Sequence, residues 1–245
     1  MIPKIIHYIW FGHSAYPEKV QSCINSWRYL LPDYQFMLWD EKSFDVYSIT
    51  FTKEAYERQK WAFVSDYVRL YALYTYGGWY LDTDVEVVKS FSDLLEHRVV
   101  LGTDDKGCLD AVIGAEKGHP YIESVLRKYE NMSFVLPDHS LNMEVININL
   151  QKELRKYGYV IKNSHQQLPE GITVYPDDYF SVISLVNGKE HRTSNTYAIH
   201  WHTLLWISGK QRIIRFLRIH ILVPLLGTNN YTCLTKLVKS LWNKK

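Results

Sequence analysis

The feature that most constrains the fold is a change of pattern at Gly77-Gly78. Residues 54–76 carry apolar side chains at helical spacing, and glycine tolerates the left-handed conformation in which helices commonly end. Residues 79–81 then form a short apolar run typical of a buried strand, followed directly by Asp82-Thr83-Asp84. A helix that feeds a buried strand is typical of α/β folds, whose ligands bind at the carboxyl ends of the strands.

The rest of the chain continues this alternation. Helical periodicity predicts helices at residues 18–31, 54–76, 120–129 and 143–157. Short apolar runs predict strands at residues 4–11, 34–39, 79–81, 85–88, 99–102, 111–115, 172–175 and 197–201. Strands that alternate with helices indicate an α/β fold with a largely parallel sheet.

Length and composition fit one large domain with an appendage. At about 150 residues per domain, 245 residues give between one and two domains. A hydrophobic content of 47% and a charged content of 22% exclude a disordered chain. The three cysteines, Cys23, Cys108 and Cys233, are too few and too far apart for a disulfide framework or a zinc ribbon, and they fit a reducing compartment.

The net charge of +2 conceals an asymmetry. From His191 to Lys245 the chain has nine Lys and Arg residues and no Asp or Glu, so the preceding part carries a net charge of −7. We predict two basic helices in this tail, at about residues 210–222 and 234–242. Their mix of Ile, Leu, Phe and Arg is typical of a helix in a membrane interface. We expect peripheral attachment to an anionic membrane, with a helix pair packed on the main domain as the alternative.

No signal peptide and no apolar run long enough to span a membrane is recognisable, so we expect a cytoplasmic protein. A nucleic-acid partner for the tail is disfavoured because Ile and Leu dominate it, and these residues suit lipid better than bases.

The carboxylates after the short strand are the strongest candidates for chemistry. Asp82 and Asp84 are two residues apart, so on extended backbone both point the same way and suit Mg²⁺ or Mn²⁺. An isolated Asp-x-Asp is more often a solvated turn. Asp66 and Arg69, however, share one face of the preceding predicted helix, in its more apolar part. A charged pair there needs a reason, because unpaired burial is costly.

These motifs, taken in order, resemble glycosyltransferase family 32. The resemblance rests on Ser65-Asp66-x-x-Arg69, on Tyr76-Gly77-Gly78-x-Tyr80-Leu81-Asp82-x-Asp84 and on the opening segment Ile2–Gly12. Residues 113–120 and 197–200 are also similar to family segments. The resemblance covers roughly residues 1–206 and implies a single GT-A (Rossmann-like) nucleotide-diphospho-sugar transferase domain, with residues 207–245 as a basic helical extension.

The resemblance also implies roles for individual residues. Trp10 would stack on the nucleotide base. Asp66 and Arg69 would bind sugar hydroxyls, with Arg69 also near the diphosphate. Asp82 would bind the ribose or a metal-bound water, and Asp84 would ligate the metal.

Further residues are weaker candidates for the same site. His200 is the candidate second metal ligand, and His202 is the reserve. Trp206 resembles a β-phosphate contact, although Leu205 stands where a serine is usual in the family. Asp110 could face the sugar or the acceptor.

We therefore expect a retaining glycosyltransferase that depends on Mn²⁺ or Mg²⁺ and moves a hexose from a nucleotide sugar, with a UDP-sugar favoured over GDP-mannose. The expected acceptor is a glycan or a lipid-linked oligosaccharide in bacterial surface polysaccharide synthesis, at the inner face of the plasma membrane. Two alternatives stay open. One is a nucleotide-sugar or carbohydrate-binding module without catalysis. The other is a DxD-type phosphohydrolase, which would prefer Thr or Val where this chain has Glu86.

Overall fold

The structure is a computed structural model that describes residues 1–104, 107, 109, 111–203, 209–228, 230–231 and 233–235. It confirms the predicted α/β class, with a central sheet of seven strands and a separate two-stranded sheet. The strands, in chain order, are β1 (Ile5–Ile9), β2 (Gln35–Trp39), β3 (Gly78–Leu81), β4 (Val85–Val87), β5 (Val99–Gly102), β6 (Val112–Ala115), β7 (Gln166–Leu168), β8 (Ile172–Tyr175) and β9 (Ala198–His200).

The central sheet has the order β2-β1-β3-β6-β5-β8-β7. Strands β1, β2, β3, β5 and β8 share one direction, whereas β6 and β7 run antiparallel to their neighbours. The sheet is therefore parallel-rich but more mixed than the strand–helix alternation predicts, because β5 and β6 follow each other without an intervening helix. Strands β4 and β9 pair with each other outside this sheet.

The helices lie mostly where the periodicity predicts them. They are α1 (Glu18–Leu30), α2 (Thr50–Glu57), α3 (Trp61–Tyr76), α4 (Pro120–Glu130), α5 (Ile146–Leu154), α6 (Asp177–Phe180), α7 (Gly209–Leu217) and α8 (Val223–Leu226), with a π-helical turn at Arg218–Leu222 between the last two. Sequence reasoning missed β7 and α6. Most of the second predicted basic helix, residues 234–242, lies outside the described residues.

The prediction of one helix over residues 54–76 is wrong, because the chain forms α2 and α3 with a break between them. Gln59 adopts a left-handed conformation with φ of 56°. The amide of Gln59 donates to the Tyr56 carbonyl, and that of Lys60 donates to the Ala55 carbonyl. This is the helix ending that glycine usually makes. A glutamine in that place gives no signal in the sequence.

Two hydrophobic cores cover the two faces of the central sheet. Tyr80 points into the core that contains α2, α3, α4 and α5. Its neighbours Trp79 and Leu81 point into the other core, with residues of α1 and β4. This alternation along β3 is the two-residue period of a strand that is buried on both faces.

The turn from α3 into β3 is held by a buried histidine. The ring nitrogen Nε2 of His7 lies 2.8 Å from the Gly77 carbonyl oxygen, and the Trp39 indole N–H donates to Nδ1 at 3.2 Å. The tautomer with its proton on Nε2 satisfies both bonds. Gly77 has φ of 69°, and a Cβ there would lie 2.6 Å from the backbone nitrogen of Lys117. The predicted glycine turn is confirmed, and its close approach to Lys117 excludes any larger residue.

The described part of the tail packs against the segment that precedes and follows β9. Arg215 donates to the His202 carbonyl, and Arg218 donates to the Leu185 carbonyl at 2.8 Å. Val223 is buried. Among the residues described, no helix combines the length and the apolarity that a membrane crossing needs.

Candidate active site

The candidate site lies at the carboxyl end of β3, an internal strand of the central sheet. Asp82 and Asp84 follow β3, and the pairing of β4 with β9 brings His200 opposite Val85. Ligand atoms of Asp82, Asp84 and His200 all lie within 4.8 Å of one another. The His200 Nε2 atom is 3.4 Å from Asp84 Oδ1 and 3.9 Å from Asp82 Oδ2. The structure thus brings together three of the predicted ligands, across more than 110 residues of sequence.

Each carboxylate of this cluster is held by protein groups. The Tyr80 hydroxyl donates to Asp82 Oδ1 at 2.6 Å, and Arg69 donates to the same oxygen at 3.4 Å. Thr203 donates to Asp84 Oδ2 from both its backbone amide and its hydroxyl, each at 2.7 Å. The other oxygen of each carboxylate is the one nearer to His200. Ligands held in this way are oriented before a metal binds.

The electrostatics of the cluster favour a cation. Burial alone would raise the pKa of Asp84, but His200 and the bonds from Thr203 outweigh it and hold that pKa well below its usual range. Arg69 pairs with both Asp66 and Asp82, and Asp82 in turn clusters with Asp84 and His200. Two carboxylates that converge in a partly buried pocket suit a divalent metal.

Asp66 and Arg69 form a buried ion pair, as their place on the predicted helix suggested. The Arg69 guanidinium donates to Asp66 Oδ1 at 3.1 Å, and the two residues are 4% and 6% exposed. The second carboxylate oxygen of Asp66 accepts from the Ile146 amide at 3.3 Å, at the start of α5. Arg69 also stacks over the Tyr80 ring, 4.4 Å from its centre. The pair therefore connects α3 to both the carboxylate cluster and α5.

His202 does not join the cluster. It is buried and adopts a left-handed conformation with φ of 49°. Its Nε2 atom lies 3.1 Å from the Ile183 carbonyl oxygen, while its ring lies 3.9 Å from the His200 ring. Burial lowers the pKa of His202 to about 2, so this imidazole is neutral. The His202 ring therefore packs against the ring of His200 without joining the ligand cluster.

Trp201, between the two histidines in sequence, contacts Glu86 on β4 and Lys19 on α1. Its indole N–H donates to Glu86 Oε2 at 2.8 Å, and the Lys19 ammonium lies 3.3 Å from the centre of its ring. These contacts tie β9 to β4 and α1. The backbone that carries His200 is therefore held on both sides.

Trp10 follows β1, the strand that pairs with β3 in the central sheet. Its indole N–H donates to the Ser14 carbonyl at 2.7 Å, and its ring meets that of Tyr16 edge-on at 5.1 Å. Both aromatic residues line an open cleft of about 290 Å³, together with Asp40 and Lys42. A cleft at the carboxyl ends of two parallel strands is where open α/β sheets bind ligands.

Two predicted site residues, Asp110 and Trp206, lie outside the described residues. Sequence reasoning missed Thr203 and Tyr80 as holders of the aspartates. Tyr80 lies inside the motif that carries the family resemblance, so its contact with Asp82 could have been expected from the sequence. Thr203 is 119 residues from Asp84, and no local pattern indicates their contact.

Residues 17–101 match the model of the glycosyltransferase sugar-binding region containing the DXD motif. These residues of the chain are similar to that sugar-binding region. The matched segment ends shortly after Asp82 and Asp84 and includes Asp66 and Arg69, so it contains every carboxylate of the site. His200 and Thr203 join these carboxylates from outside the matched segment.

The chain is similar to two enzymes of the fission yeast Schizosaccharomyces pombe. Inositol phosphoceramide mannosyltransferase 3 is 34% identical over 146 residues, which cover 54% of this chain and 38% of the relative. Inositol phosphoceramide mannosyltransferase 2 is 27% identical over 244 residues, which cover 90% of this chain and 63% of the relative. The chain thus spans between about two fifths and just under two thirds of the length of these relatives.

Solved structures of glycosyltransferases also resemble the chain, at lower identity. The PaToxG glycosyltransferase has a TM-score of 0.47 at 18% identity, covering 63% of this chain and 68% of that one. The galactosyltransferase LgtC has a TM-score of 0.44 at 13% identity, covering 86% of this chain and 94% of that one.

Proposed function

We propose that the chain transfers a hexose from a nucleotide sugar to a hydroxyl of a lipid or glycan acceptor, with the help of a divalent metal. The observation that carries this proposal is the cluster of Asp82, Asp84 and His200 at the end of β3, with Arg69 beside it. The match to the sugar-binding region supports the same reaction class.

The donor set fits Mn²⁺ or Mg²⁺. Ligand atoms about 2.1 Å from an octahedral metal lie about 3 Å from each other. The separations of 3.4 Å and 3.9 Å from His200 Nε2 to the two carboxylates need only a small contraction to reach that value. An imidazole among the ligands favours Mn²⁺ over Mg²⁺. When bound, such a metal would neutralise charge that develops on the diphosphate leaving group.

We propose that side chains of the protein bind the other parts of the donor. Arg69 supplies a fixed positive charge 3.4 Å from Asp82, in a buried position where electrostatic stabilisation is strong. Asp66 holds that guanidinium in place and, by the family resemblance, would bind sugar hydroxyls. We propose that Trp10 provides the stacking surface for the base in the cleft at the ends of β1 and β2.

The resemblance implies retention of the anomeric configuration, and we propose front-face attack. The acceptor oxygen bonds to the anomeric carbon on the face from which the diphosphate departs. The bond between that carbon and the phosphate oxygen breaks, its electron pair goes to the diphosphate, and a diphosphate oxygen takes the hydroxyl proton. No protein carboxylate has to act as a covalent nucleophile in this scheme.

For the donor, we propose a UDP-sugar as the first candidate and GDP-mannose as the second. The relatives are named as mannosyltransferases, which supports mannose as the sugar. They are also named for inositol phosphoceramide, which supports a lipid acceptor over a free glycan. Because these relatives come from yeast, they do not support the bacterial polysaccharide setting, which stays a prediction.

We further propose that the acid-free tail holds the enzyme at an anionic membrane surface. Basic residues close to anionic lipid contribute roughly 1 kcal/mol each. Several such residues with an apolar face are enough for reversible attachment.

A thermal-shift panel tests the transferase proposal. The wild-type chain is heated with UDP-, GDP-, CMP- and dTDP-sugars, with and without Mn²⁺. We expect one donor to raise the melting temperature only when Mn²⁺ is present, and Asp84→Asn to lose that shift. Asp33→Asn serves as a matched control, because Asp33 pairs with Lys4 on the surface.

A donor shift independent of Mn²⁺ and kept by Asp84→Asn would contradict the metal role. Hydrolysis of a generic aryl phosphate that Asp82→Asn abolishes would instead support a phosphohydrolase. A donor that binds in the metal-dependent way but is neither transferred nor slowly hydrolysed would support a binding module.

A further inference from the structure

The open cleft at the ends of β1 and β2 has two walls, and one carboxylate joins them. The first wall comes from residues 10–16, and the second wall comes from residues 38–42. Strand β1 ends at Ile9, so its pairing with β2 reaches only the start of the first wall. Further along, Glu41 Oε1 on the second wall accepts a hydrogen bond from the Gly12 amide at 2.7 Å. Glu41 therefore extends the link between the two walls past the end of the paired strands.

The same oxygen of Glu41 contacts two further groups. It accepts from the Tyr56 hydroxyl, on α2, at 3.1 Å, and the Nε2 atom of His13 lies 3.6 Å away. The Glu41 side chain is only 15% exposed, whereas that of His13 is 73% exposed. A carboxylate with so little access to water depends on donors supplied by the protein. Glu41 thus ties the first wall to the second wall and to α2.

The backbone of the first wall needs such support. Gly12 and His13 are both left-handed, with φ of 93° and 57°. This conformation is uncommon for a residue with a side chain, and it persists where the surrounding structure holds it. At Gly12 a Cβ would lie 2.8 Å from the Trp61 ring, and that ring meets the Tyr56 ring edge-on at 5.0 Å. The contacts close a ring that returns through the Tyr56 hydroxyl to Glu41.

This ring of contacts is separate from the metal cluster. The cluster consists of Asp82, Asp84 and His200, after β3 and on β9. Glu41 instead holds the turn next to Trp10, whose indole N–H donates across that turn to a carbonyl of the same wall. A change at Glu41 should therefore alter the cleft and leave the metal ligands in place.

We propose that Glu41 is a positioning residue for the nucleoside part of the donor. It fixes the left-handed turn of the first wall, and with it Trp10, where the base would stack. This inference rests on the proposed transferase function and adds to it the residue that shapes the base cleft. Glu41 acts through the Gly12 amide and the Tyr56 hydroxyl, so an uncharged side chain that still offers an oxygen acceptor should replace much of its effect.

Isothermal titration calorimetry of the full chain tests this role with UDP, GDP and inorganic pyrophosphate, each in the presence of Mn²⁺. Pyrophosphate offers the metal a diphosphate without a base. We expect Glu41→Ala to weaken the binding of the tighter nucleoside diphosphate at least tenfold and to leave pyrophosphate affinity unchanged. Glu41→Gln, which keeps an oxygen acceptor, should recover most of the loss.

Two comparison variants separate positioning from general destabilisation. Tyr56→Phe removes one donor to Glu41 and should weaken nucleoside diphosphate binding a few-fold. Combined with Glu41→Ala it should add little, because both changes act through one contact. Glu54 Oε2 accepts the amides of Phe134 and Val135 at 2.8 Å and 2.9 Å. Glu54→Ala thus removes similar bonds away from the cleft and should leave all three affinities unchanged.

The proposal is overturned if Glu41→Ala binds the nucleoside diphosphate as the wild type does, if it loses pyrophosphate equally, or if Glu54→Ala shows the same loss. Should Glu41→Ala fail to fold, unchanged affinity in Tyr56→Phe overturns it instead. A wild-type chain that binds pyrophosphate as tightly as UDP and GDP has no base cleft, which rejects the role of Glu41 but keeps the metal site. A wild-type chain that binds none of the three rejects the proposed function itself, so the two failures are distinguishable.

Discussion

Thr203 donates two hydrogen bonds of 2.7 Å to the same oxygen of Asp84, one from its amide and one from its hydroxyl. That arrangement leaves Asp84 Oδ1 as the oxygen facing His200, at 3.4 Å. A residue just after β9 therefore sets the orientation of a carboxylate just after β3. The metal site depends on the pairing of β4 with β9 as much as on the Asp-x-Asp motif itself.

Thr203→Val should weaken metal binding while preserving the fold. Valine keeps the shape of the side chain and the backbone amide but removes the hydroxyl that holds Asp84. Loss of a group that orients a metal ligand typically costs about 10- to 100-fold in affinity. Mn²⁺ titration followed by electron paramagnetic resonance, in the presence of a nucleoside diphosphate, measures the change. Thr196→Val is the control, since its hydroxyl donates to the Asp178 carbonyl, and equal affinities for the two variants would contradict the role of Thr203.

Arg69→Leu should destabilise the protein strongly, because it leaves Asp66 buried without its cationic partner. Breaking a buried ion pair from one side costs about 3–5 kcal/mol. The free energy of unfolding in urea measures this loss. Arg127→Leu is the comparison, because Arg127 pairs with Glu123 at the same kind of spacing on an exposed helix surface and should unfold like the wild type. A similar small effect at both positions would show that the Asp66–Arg69 pair is not a structural element.

His7 should make the fold sensitive to acid. Burial lowers the pKa of His7 from its ordinary 6.5 to about 4. As the pH falls through 6.5 the unfolded chain takes up a proton at this residue, but the folded chain does not until about pH 4. Stability from this source is therefore complete above pH 6.5 and decreases between pH 6.5 and about 4, by up to about 3 kcal/mol.

Unfolding measured across that pH range checks the prediction. His7→Gln keeps a donor for the Gly77 carbonyl and an acceptor for the Trp39 indole, but it does not titrate. We expect the variant to lose less stability than the wild type between pH 6.5 and 4. Parallel curves for the two proteins would mean that other groups account for the acid sensitivity.

Arg215 is expected to be a positioning residue for the metal site. It donates to the His202 carbonyl, between His200 and Thr203, where the backbone of His202 is left-handed. Arg215→Ala should weaken Mn²⁺ binding several-fold, with partial rescue by Arg215→Lys. Arg218→Ala removes a similar bond to the Leu185 carbonyl, away from the ligands, and should leave Mn²⁺ affinity unchanged. Equal loss for Arg215→Ala and Arg218→Ala would indicate that both arginines only anchor the helix.

This contact also bears on truncation experiments. Deletion of residues 210–245 would remove most of the basic tail and Arg215 together. Point variants therefore separate membrane attachment from metal binding more cleanly than the deletion does.

Local pattern predicts much of the fold. The strand before Asp82, the glycine turn at Gly77 and helix α1 follow from apolar spacing and from the backbone freedom of glycine. The break between α2 and α3 does not, because Gln59 adopts a conformation that its residue type disfavours and tertiary packing decides the outcome. The reversed direction of β6 does have a signal, because residues 99–102 and 111–115 are predicted as consecutive strands with no helix between them, and parallel strands need a longer crossover.

The candidate site divides in the same way. Asp66, Arg69, Asp82 and Asp84 lie within 19 residues and form a motif that sequence alone can identify. The partners that complete it come from a distant strand. Only the fold shows that His200 meets the carboxylates and that His202, two residues later, turns to the Ile183 carbonyl.

The direction of β6 has a consequence for how freely this end of the sheet can vary. Because β6 runs opposite to β5, the chain leaves β5 at Gly102 and re-enters at Val112 on the same edge that carries Asp82, whose amide donates to the Ala111 carbonyl. Both ends of this connection are anchored by strand pairing. Of the residues described within it, Thr103, Asp104 and Leu109 are buried, and the Leu109 amide donates to Asn147 Oδ1 on α5. The reversal of β6 therefore gives the sheet end that carries Asp82 a connection that packs against α5, so an insertion there would have to displace buried side chains.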